Sequence, residues 1–214
     1  MPNYFKIIYL FLLIFFCNAA HAVRIRDRID IMGYGGYNQV SGVAIANSTT
    51  DYGTLKGYDG GAALLIALSK RRFSPVIGGG AHYSMTKNSV SSGTSSKEYE
   101  LASLTGTGHL GFRLVGPFVK FFIFGNGGYS TSDTFKSSTV SAAGVTTSSS
   151  TETLNNHTFY GGTLSLLITA APFIKVGVNG IYNVHSADLV DATGKSNAMS
   201  YNEVSANVVI DINI

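Results

Sequence analysis

Apolar and polar residues alternate one for one over long stretches of this chain. Val204, Ala206, Val208, Ile210, Ile212 and Ile214 share one side of the last stretch; Glu203, Ser205, Asn207, Asp211 and Asn213 share the other, with Val209 as the exception. In 174–183, Ile174, Val176, Val178 and Tyr182 oppose Lys175, Gly177, Asn179 and Asn183, and in 104–114 Leu104, Leu110, Phe112 and Leu114 oppose Thr105, Thr107, His109 and Arg113. A period of two puts each set on one face of an extended strand. The pattern predicts eight strands, at 29–40, 56–68, 75–86, 97–114, 117–130, 157–168, 173–184 and 199–213, each near or above the roughly 9–11 residues that a tilted strand needs to cross a bilayer.

The connections alternate between short and long. Residues 69–74, 115–117 and 169–172 read as tight turns, whereas 41–55, 87–96, 131–156 and 185–198 are long and polar. Residues 137–151 are almost wholly Ser, Thr, Ala, Val and Gly; so polar a stretch reads as mobile or as an extension of the strands above a membrane. A meander with these connections collects Tyr37, Tyr58, Tyr83, Tyr129, Tyr160 and Tyr182 at one rim and Phe73, Phe112, Phe118 and Phe173 at the other. Aromatic rings favour the depth where hydrocarbon meets headgroups and water, and two such girdles with short turns at one end mark a membrane-spanning barrel. Tyr99 and Tyr201 recur at the same rim but fall on the polar face by parity; either a bulge turns them outward or the girdle is incomplete there. The competing reading is a soluble eight-stranded barrel with its apolar face inside. The two aromatic rims, the loop alternation and the glycine-rich strands favour the membrane form.

Composition fits this picture. Charged residues make up 13% of the chain, and it holds 25 Gly, one Cys and a net charge of +3, which gives no field for nucleic acid. Residues 1–22 read as a cleavable signal peptide: Lys6, an apolar run from Ile7 to Cys17, then Ala20-His21-Ala22. The run is short for a spanning helix, and Phe16 stands where lipidation of Cys17 would require a small residue. Residues 23–214, free of cysteine, read as one domain of an exported protein built without disulfides.

With these segments, rims and closing strand Val204–Ile214, the chain resembles the small eight-stranded outer-membrane barrel family, which includes the membrane domain of outer-membrane protein A and the outer-membrane protein X type. The resemblance covers 23–214 and is one of pattern. It implies an all-β, eight-stranded antiparallel up-and-down transmembrane barrel in a bacterial outer membrane, in contact with outer-membrane lipid and lipopolysaccharide, inserted by the barrel-assembly machinery. Many members end in an aromatic residue that this machinery reads; this chain ends in Ile214.

In such a barrel the polar face fills the lumen. Parity sends Asp30, Arg113, Lys120, Lys175 and Asp211 inward toward the periplasmic half, and Asp59, His109 and Glu203 inward at mid-depth or higher. Opposite charges confined there must pair, and eight strands enclose only enough room for side chains. The bland reading is a structural plug; the sharper one is a gate for small ions. His82 and Ser84 share a face, a spacing similar to that of the outer-membrane lipid A deacylases, with Glu98 or Glu100 as the carboxylate that a triad needs. His82 and Ser84 would face the lumen, however, away from lipid. The Gly106-x-Gly108-x-x-Gly111 spacing lacks the strand-to-helix setting of a dinucleotide site. No catalytic set, cofactor or metal spacing is expected. The sequence thus points to a monomeric, non-enzymatic scaffold for envelope integrity or surface adhesion, with any external ligand met by the four long loops. A narrow channel or a lipid A deacylase-like esterase are the alternatives.

Overall fold

The computed structural model describes residues 28–92 and 94–214; the leader predicted at 1–22 lies outside them. The chain forms β1 (Ile29–Ile45), β2 (Leu55–Ala67), β3 (Phe73–Ser92), β4 (Ser95–Val115), β5 (Val119–Ser141), β6 (Thr146–Ala171), β7 (Ile174–Val190) and β8 (Ser196–Asn213). Each strand pairs antiparallel with its chain neighbours, and β1 pairs with β8, so the sheet closes into an eight-stranded up-and-down barrel with no free edge.

All eight predicted strands are present, and most are longer than alternation indicated. The segment predicted as a connection at 131–156 is largely strand: β5 and β6 continue past the aromatic rim, with Ser137 opposite Ser150 and Ser138 opposite Ser149, and turn at 142–145. Gly144 takes φ +74° there, a conformation that costs glycine little. The other three predicted loops shrink likewise: 46–54 and 191–195 remain between their strands, and β3 runs on to Ser92 with β4 starting at Ser95. The alternation that marks a strand inside a bilayer comes from the contrast between lipid and lumen. Over 137–151 neither face is buried and both meet water, so Ser and Thr serve on either side and the contrast vanishes, while the ladder still pairs the backbone.

The wall has the inverted polarity of a membrane barrel. Leu64, Leu110, Ile123, Leu164, Val208 and Ile210 stand exposed on the outside. Tyr37, Tyr58, Tyr83, Tyr129, Tyr160 and Tyr182 are exposed outward toward the tall-hairpin end, with Tyr37 directly opposite Tyr58. Phe73, Phe112, Phe118 and Phe173 are exposed outward toward the short turns, and the Phe73 and Phe112 rings stack at 5.1 Å. Tyr99 and Tyr201 point inward, 4% and 3% exposed; no bulge returns them to the girdle.

Candidate functional site

The lumen is filled in layers, each with a different chemistry. At the short-turn end, Asp30 accepts hydrogen bonds from Arg113 at 3.0 Å and from Lys120. Lys120 also donates to Asp211 at 2.9 Å and to Asn213 at 2.9 Å, and Lys175 donates to Asn213 at 2.6 Å. Asp30, Lys120 and Asp211 have no exposed surface. These residues come from β1, β4, β5, β7 and β8, so the cluster ties the barrel across its diameter. A buried charge left without a partner is costly, and the pairing removes that cost.

Above the ions lies an apolar layer of Met32, Leu65, Val76, Phe122, Phe124, Leu167 and Val209. Val209, the exception in its strand, belongs here: it faces the lumen like its parity mates but meets other apolar side chains. The Lys120 ammonium sits 5.0 Å from the Phe122 ring centre, joining the two layers.

The third layer is polar and encloses a chamber of about 20 Å³, lined among others by Tyr34, His82, His109, Asn126, His185 and Glu203. That is room for about one water. His109 meets Thr107 at 3.0 Å and Asn126 at 3.1 Å. Glu203 accepts from Asn38 at 2.7 Å, from Asn183 at 3.3 Å and from His185 at 3.1 Å. His82 lies 3.5 Å from Glu203 and 3.8 Å from Asp59, and Asn207 donates to Asp59 at 3.3 Å. A Cβ on Gly61 would fall 2.5 Å from the Tyr34 hydroxyl; glycine there lets the Tyr34 ring cross the lumen to His82, its hydroxyl 3.3 Å from Nδ1.

The layer continues toward the tall hairpins through residues that parity did not single out. Asp133 and His157 are joined at 2.5 Å, and His157 Nε2 lies 2.8 Å from His185 Nδ1 and 3.1 Å from the Tyr201 hydroxyl. Counting from outward Tyr129, simple parity sends Asp133 outward. A β-bulge between the pairs Leu104–Ser132 and Thr105–Ser130 inserts one residue into β5 and turns Asp133 inward. A second bulge, with Asn156 at φ +50°, offsets it in β6, so the β5–β6 register is the same on both sides.

A fourth, mainly apolar layer caps the lumen. Tyr52, Tyr99 and Phe135 pack ring against ring, with centroids 4.9, 5.6 and 6.2 Å apart, beside Val40, Leu55, Leu101, Leu154, Leu189 and Met199. Above it the mouth opens as a cup of about 330 Å³, whose rim carries Asn47, Lys97, Glu152, Asp191, Lys195 and Asn197. Burial pushes the Glu152 carboxyl up, and the charge of Asp191 adds to the rise. Asn47 holds φ +64°, uncommon for a residue with a side chain.

On the outer surface just above the tyrosines, Lys56 stands directly opposite Lys87. Glu100 bridges Lys87 at 2.7 Å and Lys136 at 3.3 Å, and the Lys87 ammonium holds its carboxyl below the usual range. The structure thus separates the pieces of the candidate triad. His82 and Ser84 are 5% and 6% exposed and face the lumen; Glu98 is exposed and Glu100 pairs with lysines outside. Gly106, Gly108 and Gly111 lie within β4, next to no helix. Among the described residues no group of three or more His, Cys, Asp or Glu is arranged to hold a metal ion.

No model of a known protein family matches the chain, and no curated protein matches it in sequence. Solved structures are similar in fold. Ail, the attachment invasion locus protein of Yersinia pestis, crystallised with the heparin analogue sucrose octasulfate, is 11% identical, with 85% of this chain and 99% of that one covered and a TM-score of 0.41. Neisserial surface protein A is 11% identical, with 87% and 97% covered and a TM-score of 0.44. The outer membrane protease OmpT from Escherichia coli is 9% identical, with 88% and 97% covered and a TM-score of 0.48. At these identities the likeness is one of architecture and assigns no residue a role.

Proposed function

We propose that this protein is a non-enzymatic scaffold of a bacterial outer membrane: a sealed, lipid-embedded cylinder that holds four tall hairpins and a polar mouth above the bilayer for envelope integrity or surface contact. One observation carries the reading. The lumen is blocked at two levels by apolar layers and at its short-turn end by buried ion pairs, leaving a chamber of about 20 Å³. In this reading Asp30, Arg113, Lys120, Lys175 and Asp211 are a structural plug, with Asp59, His109 and Glu203 bracing the middle. The short turns face the periplasm and the tall hairpins the exterior, by the usual asymmetry of such barrels. The tyrosines then sit at the outer interface. Lys56, opposite the Glu100-paired Lys87, is exposed outward above the tyrosines, and a lipopolysaccharide phosphate is the anion available to it at that depth. The external ligand, where there is one, meets the cup ringed by Asn47, Lys97, Glu152 and Lys195; the solved neighbour Ail carries a sulfated sugar, and the lysines suit an anionic glycan. Residues 1–22 serve export, and assembly machinery inserts the chain.

Single-channel recording beside a lipid-hydrolysis assay tests the reading. The scaffold gives no unitary conductance and no cleavage of lipid A or phospholipid. Steps that change when Lys120 or Lys175 is neutralised would establish a channel instead, and hydrolysis lost on Ser84→Ala would establish an esterase.

A further inference from the structure

The chain Asp133–His157–His185–Glu203 runs through the lumen on four successive strands. Its three contacts are 2.5 Å (Asp133 Oδ2 to His157 Nδ1), 2.8 Å (His157 Nε2 to His185 Nδ1) and 3.1 Å (His185 Nε2 to Glu203 Oε2). All four residues are buried. Among the described residues, the ion-pair partners of Asp133, Glu203 and Asp59 are all histidines.

Counting protons fixes the state of this chain. Every contact joins two atoms that are both acceptors unless a hydrogen lies between them. Three contacts therefore need three protons. Two carboxylates and two neutral imidazoles bring only two, because a neutral imidazole carries a single N–H. Moving a proton from one site to another does not change the total. The remaining donors nearby are already directed at the carboxylates: Ser130 at Asp133 (2.5 Å), and Asn38 and Asn183 at Glu203. Tyr201, 3.1 Å from His157 Nε2, has one hydroxyl hydrogen and cannot also place one between the two rings. Without a third proton, two nitrogen lone pairs would face each other at 2.8 Å in a site without bulk water.

We propose that these four groups bind one proton beyond those of two neutral histidines and two carboxylates, and that this proton holds the tall-hairpin half of the lumen shut. The shared charge lies between two carboxylates, which pays its desolvation. His185 is stacked on Tyr201, with centroids 4.4 Å apart and planes 8° apart, and also stacks with Phe159 at 5.2 Å. Tyr201 belongs to the aromatic cap, so the link between β6 and β7 also fixes the cap above it. Loss of the proton turns the His157–His185 contact from attraction to repulsion. Uptake of a second proton does the same, because both facing nitrogens then carry hydrogen. The titratable groups around the pair are Asp133 on β5 and Tyr201 and Glu203 on β8; one contact further on, His82 on β3 lies beside Glu203, with Asp59 on β2 and Tyr34 on β1 against His82. His82 is the next station: its Nε2, 3.5 Å from Glu203 Oε1, has no hydrogen-bond partner among the described residues.

Histidine-labelled wild-type protein folded in detergent micelles tests this by nitrogen NMR. At neutral pH His157 and His185 together show three slowly exchanging ring N–H protons, one bridging the two rings. Two N–H protons, one per ring, would overturn the proton site. As alkali removes the third proton, protection of the amides of Ala187, Leu189, Met199 and Tyr201 falls by about tenfold or more, the scale of one lost charged hydrogen bond. Unchanged protection would overturn the locking role while leaving the site. In Asp133→Asn, checked for folding by its heat-dependent gel shift, the neutral amide no longer holds the charge and the third proton disappears at neutral pH; its persistence would also contradict the proposal.

Discussion

Lys120 has no exposed surface and spends all its hydrogen on Asp30, Asp211 and Asn213. Its neighbours are carboxylates that cannot be rehydrated where they stand. Lys120→Met is therefore expected to cost about 3–5 kcal/mol, the penalty of an uncompensated buried charge, read as a lower urea midpoint for the heat-modifiable form. A loss below about 1 kcal/mol would mean that water reaches the cluster and that the plug is open. The inward direction of Lys120 was legible from alternation alone. Its partners were not, because contacts across a lumen depend on strand stagger, which parity does not contain. The same holds for Glu203: the sequence places it inside, and only the closed register brings it to His185, Asn38 and His82.

The strands were legible where lipid lies on one face and polar side chains on the other, and illegible where that contrast ends. This is why 131–156 reads as a connection although β5 and β6 pair through most of it. It is also why Asp133 was missed: one inserted residue in β5 inverts parity, and a bulge has no composition signature in a Ser/Thr-rich stretch. His157 and His185 kept their parity, but His157 stood at the first residue of a predicted strand and His185 opened a predicted connection, where nothing marked them as lumenal. The Ser/Thr extension rests on its own ladder and on no lumen layer above the mouth. Replacing 139–148 with an Asn-Gly turn, a sequence suited to a two-residue hairpin, should leave the urea midpoint within about 0.5 kcal/mol of the parent. A barrel that no longer forms would show that the tall arms nucleate the fold, contrary to the layered account.

At the scale of the whole molecule, the stacked layers act as an inside-out soluble core. Apolar side chains face out into lipid, and the ions, amides and imidazoles that a soluble protein would show to water are paired within. Two apolar discs divide the lumen, so neither end communicates with the chamber between them. The sequence conveyed the cylinder and its polarity, since both follow from a period of two. It did not convey the discs, since Phe122, Leu167 and Val209 look like interruptions of the polar face until the layers are stacked.

The most direct measurement places single nitroxide labels on the outer wall, in a chain from residue 23 onward that holds no other cysteine. Leu110→Cys, Leu164→Cys and Val208→Cys occupy the exposed apolar band, and Ser149→Cys occupies a tall arm. In bilayers the three band labels should collide readily with dissolved oxygen and scarcely with a water-soluble nickel chelate, and Ser149→Cys should do the reverse. Band labels that meet the chelate freely, or that are immobile and shielded from both reagents, would mean that the apolar face is turned inward and that the account is wrong.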